Sequence, residues 1–282
     1  MKSKIKLLLL FLAFIIVILN IAFIFSDNKI KKIKFDSIYN SCNKTWSSRG
    51  VYLNSLEQNS LSSVSKAFKN GFEGVEIDFY YDIKMDKFIV SHNKPKKNKN
   101  GELQYTLKNG KFLTLEELFT IDVKARFFWL DYKNLDRINS EDTNKAIKRL
   151  EKISKKYSLK ERLYIEGSNP FILQKYTNAG FKTILAFKPL PKNNILSSLS
   201  VNVTKLIFSI FNISALAMPY GKLDNPVYHE SMNKKLDGIP VFLFHTPDNK
   251  ELINHLSKQQ DVRVILVGRD KSINRSYLRN CN

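Results

Sequence analysis

Residues 74–81 read GVEIDFYY, and the alternation inside them sets the fold. Successive side chains of an extended chain point to opposite faces. Val75, Ile77 and Phe79 therefore share one face, and Glu76 and Asp78 share the other. Two carboxylates side by side on a strand suited to burial repel each other and lose hydration. Solvent, basic partners or a cation must compensate them. FFWLDYK, residues 127–133, repeats the logic: Trp129, Asp131 and Lys133 on one face, Phe128, Leu130 and Tyr132 on the other.

Working outward, short apolar runs alternate with helical patterns nearly to the end of the chain. Strand candidates are 45–49, 75–81, 88–91, 127–132, 163–165, 183–187, 213–218, 241–244 and 262–267. Helical periodicity marks 61–69, 114–119, 141–157, 171–178 and 249–258. Such alternation points to a parallel sheet, and closed on itself it is an eight-stranded (β/α)8 barrel of the TIM type. Nine candidates are one too many for that barrel; 88–91 follows its neighbour so closely that it is expected to pair back as a hairpin. The polar stretch 93–111 is expected as a loop beside the site. The apolar run 206–218 is expected in the core. In a barrel, functional groups gather where strand C-termini meet the following loops, so Glu76, Asp78 and Asp131 are expected at one mouth. Three oxygen donors suit Mg²⁺ or Ca²⁺. A carboxylate pair on one strand, taken alone, more often serves surface or ion-pair roles than it holds a metal.

The order of segments adds to this. TWSSRG (45–50) is followed by EQNSLSSVSKAFKNGFEGVEIDFYY (57–81), KFIVSHN (87–93), LTLEELF (113–119) and FWLDYK (128–133). This series resembles the glycerophosphodiester phosphodiesterase family, which reads HRG, EN(T/S) with a helix ending in Gly, ExD, a VxxHD turn, a TLEE helix and an ExK strand. Asn59 precedes Gly71 by twelve residues, the family's spacing. The resemblance is dense over 46–133 and loose afterwards, where VFLFHTPDN (241–249) and VRVILVGRD (262–270) fall at the places of later family strands. It implies a barrel that hydrolyses phosphodiesters with a divalent cation, Mg²⁺ or Ca²⁺, held by Glu76, Asp78 and Asp131. Asp131 stands where the family more often has Glu. Arg49 and Lys133 would then hold the phosphate, for which Arg49 has a bidentate fork, and His92 would protonate the leaving alcohol.

Departures from the pattern bear on the chemistry. Ser48 stands where the family has the His of HRG, Gln58 where it has Glu, and Asn93 where it has Asp. A serine hydroxyl is a poor general base near neutral pH. Three explanations stay open: attack by water acidified on the cation, His245 acting as base from a late strand, or a domain that binds phosphodiesters or a partner without hydrolysing them.

The barrel is preceded by residues 7–25, nineteen residues without a charge, in which Asn20 is the one strongly polar side chain. At 1.5 Å per residue they reach about 28 Å, the thickness of bilayer hydrocarbon. Lys2, Lys4 and Lys6 precede them, and no small-x-small cleavage site follows, so an uncleaved signal-anchor is expected. The expected organisation is a transmembrane anchor at 1–26, a basic linker at 27–43 and the barrel at 44–282, with the lipid bilayer as partner. Lys29, Lys31, Lys32 and Lys34 nearly balance the N-terminal lysines, yet a short basic N-terminus favours the cytoplasm, which puts the barrel on the extracytoplasmic side. Cys42 and Cys281 sit near opposite ends, where a closed barrel could bring them into a disulfide in an oxidising compartment.

Across 282 residues the hydrophobic share is 43% and the formal charge +20. The first figure is enough for a packed core, so disorder is not the default reading, and the second favours anionic partners such as phospholipid headgroups. Nucleic acid is not an expected partner, because no helix-turn-helix and no basic-aromatic single-strand pattern occurs.

Overall fold

A computed structural model of the chain describes residues 2–107, 110–191 and 195–268. A long helix, α1 (Lys2–Lys32), leads into β1 (Thr45–Ser48), α2 (Leu61–Lys69) and β2 (Gly74–Asp82). An excursion follows: β3 (Lys87–Val90), the small pair β4 (Lys96–Lys97) and β5 (Leu103–Gln104), then β6 (Leu113–Thr114) and α3 (Leu115–Leu118). Strand and helix then alternate through β7 (Phe127–Tyr132), α4 (Ser140–Lys156), β8 (Leu163–Gly167), α5 (Pro170–Asn178) and β9 (Lys182–Ala186). The series ends with α6 (Ser197–Ile210), β10 (Ala215–Pro219), α7 (Glu230–Leu236), β11 (Val241–Phe244), α8 (Lys250–Lys258) and β12 (Val262–Val267).

β1, β2, β7, β8, β9, β10, β11 and β12 pair in parallel in that order, and β12 pairs back onto β1. This is the closed eight-stranded barrel expected from the alternation. The ninth candidate strand is β3, which runs antiparallel to β2 with Val90 opposite Phe79 and extends the sheet outside the barrel wall. Helix starts follow local chemistry. Ser60 and Ser63 close a capping box at α2, as Thr114 and Glu117 do at α3. α5 begins with Pro170 behind an Asn169 cap.

The alternation along β2 sorts its side chains. Val75, Ile77 and Phe79 join the apolar layer between barrel and helices, and Glu76 and Asp78 point inward. Inside the barrel the side chains form tiers. At the base Trp46 stacks on Phe127 at 5.8 Å between ring centroids and meets Tyr39 edge-on at 4.9 Å. Gly74 is required here, because a Cβ on it would lie 2.2 Å from the Trp46 ring. The tier above holds Trp129 against Phe242 at 5.4 Å, and the carboxylates come next.

α1 does not end where its apolar run ends. The segment 27–43, expected as a linker, begins as helix through Lys32 and packs on α6. The Ser26 hydroxyl donates to Lys205 O at 2.9 Å, Asp27 pairs with Lys205 at 2.6 Å, and Lys29 Nζ donates to Ser209 O at 2.6 Å. These tertiary bonds hold helical a stretch whose composition reads as linker. Residues 35–39 then cap the barrel base, where Tyr39 N donates to the Tyr164 hydroxyl at 2.9 Å. The apolar run 206–218 divides into the last turn of α6, a bend in which Asn212 has φ 50°, and β10. Phe208, Leu216 and Met218 are in the core, whereas Ile210 is exposed. Cys281, the expected partner of Cys42, lies outside the described residues.

Candidate active site

At the C-terminal ends of β1, β2, β7 and β8 the parallel register sets polar side chains next to one another. Ser48 lies opposite Glu76, Asp78 opposite Asp131, and Asp131 opposite Glu166. Carboxylate oxygens of Glu76, Asp78 and Asp131 all lie within 4.8 Å of one another. Asp78 is wholly buried. Asn59 holds it on two sides, donating from Nδ2 to Oδ2 at 2.7 Å and accepting from the Asp78 backbone N–H at 3.1 Å.

The loop after β1 makes this possible. Arg49 has φ 57° and Gly50 φ 81°, a left-handed pair that turns the chain back onto α2. A Cβ on Gly50 would lie 2.5 Å from the Ser63 carbonyl carbon, so only glycine lets the helix approach. The turn is pinned by Val51 N to Ser63 O at 2.9 Å and Asn59 N to Arg49 O at 3.0 Å. Arg49 Nε then sits 2.9 Å from Asp78 Oδ2, while its Nη1 donates to Gln58 Oε1 at 3.0 Å. Lys133, just past the end of β7, places Nζ 2.5 Å from Asp78 Oδ1 and also pairs with Asp131.

Two cations thus face four carboxylates, and the acids respond. Burial raises Glu76 well above the ordinary carboxylate range, and the charges of Asp78 and Asp131 push the same way. Burial raises Asp131 as well, although Lys133 pulls it back. Glu166 is pushed up to about 8 by burial and by Asp131, even though the Trp129 indole N–H donates to it at 2.6 Å. Burial disfavours the charge of Lys133, but Asp131 and Asp78 outweigh it and raise its pKa. A crowded set of hard oxygen donors with too little positive charge fits a divalent cation. Glu76, Asp78 and Asp131 are the groups able to hold it.

Above the carboxylates opens a cavity of about 590 Å³ that Ser48, Arg49, His92, Lys133, Glu166 and His245 help to line, with Phe244, Pro247 and Leu266 forming an apolar wall. Six of the seven residues singled out from the sequence reach this cavity, and Asp78 lies directly beneath it. His92 follows β3, exposed, its Nδ1 3.4 Å from Asn93 Oδ1. His245 follows β11 with φ 52° and its ring edge-on to Phe244 at 4.7 Å. The Ser48 hydroxyl donates to Glu76 Oε2 at 3.1 Å, an arrangement that hands a proton toward a carboxylate rather than taking one from a nucleophile. Glu166 went unread in the sequence. The signal was available in the alternation, since Tyr164 and Glu166 share a face as Trp129 and Asp131 do.

No protein-family model matches the chain, and no curated protein matches it by sequence. Solved structures do match. A glycerophosphodiester phosphodiesterase from Parabacteroides distasonis is 16% identical, with 80% of this chain and 93% of that one covered at a TM-score of 0.57. One from Thermotoga maritima is 20% identical over 79% and 93%, TM-score 0.54. A phosphodiesterase from Oleispira antarctica, solved in complex with the product sn-glycerol-3-phosphate, is 14% identical over 81% and 92%, TM-score 0.55. At these identities the likeness is one of fold: the chain has the barrel of the glycerophosphodiester phosphodiesterases.

Proposed function

We propose that the chain is a divergent member of that family, a membrane-anchored hydrolase that cleaves a phosphodiester with a divalent cation, Mg²⁺ or Ca²⁺. One observation carries this reading: three carboxylates within 4.8 Å of one another, flanked by Arg49 and Lys133, at the mouth of the barrel. Glu76, Asp78 and Asp131 hold the cation, which, when bound, polarises a phosphoryl oxygen and acidifies water. Arg49 and Lys133, now paired with the carboxylates, would bind the phosphate oxygens. His92 gives its proton to the alcohol oxygen as the P–O bond breaks. The attacking oxygen must lose a proton, and with Ser48 committed to Glu76 the second imidazole lining the cavity, His245, is the base. The products are a phosphomonoester and an alcohol. A glycerophosphodiester, a phospholipid headgroup or a phosphodiester-linked glycan all suit a site of this charge.

α1 is the membrane anchor; it is the one helix among the described residues long and apolar enough to cross a bilayer. Lys29 and Lys31 bond to the barrel, at Ser209 and Asp237, and the short basic N-terminus with Lys4 and Lys6 stays in the cytoplasm and puts the barrel outside.

The test is hydrolysis by the full-length chain in detergent micelles, with several phosphodiesters and with Mg²⁺ or Ca²⁺. Equal turnover by wild type and Asp78→Asn would remove the cation from the mechanism. The Ser48–Glu76 hydrogen bond favours a second reading, a barrel that binds phosphodiesters without cleaving them. Turnover that disappears in His92→Ala decides against it.

A further inference from the structure

The contacts between α1 and α6 fix which end of the barrel meets the membrane. α6 connects β9 to β10, so it starts at the mouth and ends at the base. Ser26 bonds to Lys205, and Lys29 bonds to Ser209 and Asn212. Residue numbers rise together on both helices, so α1 runs parallel to α6, with its C-terminal end at the base and its apolar end directed past the mouth. From Lys205 back to Ser197 is about 12 Å of helix, and the same rise back from Ser26 reaches Ile18. The first side chains of α1 to be partly covered are Ala22 and Phe23, and residues 4–21 are exposed. Lys4 and Lys6 start that stretch, and its uncharged part, residues 7–21, spans about 22 Å, most of the hydrocarbon thickness of a bilayer. The apolar segment therefore leaves the protein level with the mouth loops.

A second observation, independent of α1, marks the same end. Leu53 and Leu56 on the β1–α2 loop are 81% and 77% exposed, and Ile195 on the β9–α6 loop is 94% exposed. Leu196 beside it and Leu223 after β10 are exposed too. Among the described residues outside α1, only Ile33 and Ile210 of the exposed large apolar side chains lie at the base. Single exposed leucines are ordinary, but a set gathered at one end of a barrel is not. The loop after His92 adds the exposed cations Lys94, Lys96, Lys97 and Lys99, which match anionic headgroups.

We infer that the mouth is seated on the bilayer that holds α1, its apolar loop tips in the interface, and that the phosphodiester entering the cavity is carried by a membrane lipid. The substrate part rests on the hydrolase reading above; the seating does not. The base, with its aromatic cap and residues 35–39, faces away from the lipid.

Brominated acyl chains quench tryptophan at the membrane, and the native Trp46 and Trp129 are buried inside the barrel, so they supply a constant background. The full-length chain is reconstituted in vesicles of brominated phosphatidylcholine and phosphatidylglycerol as Ile195→Trp, Leu53→Trp or Glu161→Trp. The added fluorescence is lost at 195 and 53 and kept at 161, next to β8 at the base. Quenching at 161 equal to or above that at the two mouth sites overturns the seating, and two mouth variants guard against one that misfolds. In the same vesicles, wild type releases headgroup from phosphatidylglycerol at least about tenfold faster than it cleaves an equal concentration of a water-soluble glycerophosphodiester, because the anchor supplies a high local concentration of lipid. Faster cleavage of the soluble diester overturns the lipid substrate. Cleavage of neither sinks the hydrolase reading, while the quenching still decides the seating.

Discussion

The two ends of this barrel are made from the same eight strands and follow opposite rules. At the base, Trp46, Phe127, Tyr164 and Tyr39 pack ring against ring, with the Tyr39 backbone N–H satisfied by the Tyr164 hydroxyl. At the mouth, the same strands carry carboxylates that burial and mutual repulsion drive toward protonation. Packing density at one end permits unrelieved charge at the other. The mouth is therefore the end whose properties change when a ligand arrives.

The sharpest way to break this contrast is at the base. Trp46→Ala empties a large, fully buried volume, and losses of this kind are about 3–5 kcal/mol. The expected result is a lower melting temperature in detergent micelles with turnover per folded molecule unchanged. Turnover that falls along with stability would show that the two ends are not separable. Asp78→Asn is the converse change. Asn keeps an acceptor for Asn59 but removes a charge, so turnover falls by roughly 10²–10³-fold, about 3–4 kcal/mol of transition-state stabilisation. Its melting temperature moves far less than that of Trp46→Ala.

The contrast also explains what the sequence allowed to be read. The mouth half built from β1, β2 and β7 was legible because strand alternation alone places Glu76 with Asp78 and Asp131 with Lys133. For Glu166 the alternation gives only the inward face it shares with Tyr164; it is a single carboxylate on a short strand, and its place in the site comes from its register with Asp131. α6 escaped notice for another reason. The barrel covers one of its faces and α1 another, so its polar stripe is narrow and its periodicity blurred. α7 has seven residues and a histidine cap, His229 Nδ1 accepting from Met232 N at 3.2 Å, a start signal that capping rules rank low. The helical continuation of α1 through Lys32 depends on Lys205 and Ser209, more than 170 positions away.

A divalent cation should act on one end only. At a hundred times its dissociation constant a ligand stabilises a fold by about 2.7 kcal/mol, roughly 5–10 °C for a domain of this size. Mg²⁺ or Ca²⁺ is expected to raise the melting temperature of wild type and of Trp46→Ala by equal increments, since distant sites add. Asp78→Asn loses the increment. A cation response that survives Asp78→Asn would place the ion elsewhere.

The smallest effect concerns protons. Glu166 has its pKa pushed up from 4.5 to about 8 in the folded chain, so between those values the folded state holds a proton that the unfolded state has released. Stability then falls as pH rises through that window and levels off above it, because the state that binds more protons is favoured by acid. Thermal melts of the cation-free protein from pH 5 to pH 8.5 read the slope directly. Glu166→Gln reduces it without abolishing it, because Glu76 and Asp131 are shifted in the same direction. A saturating divalent cation reduces it further by favouring the ionised acids. A slope indifferent to both changes would mean that the mouth carboxylates are already compensated, and the contrast with the base would lose its electrostatic half.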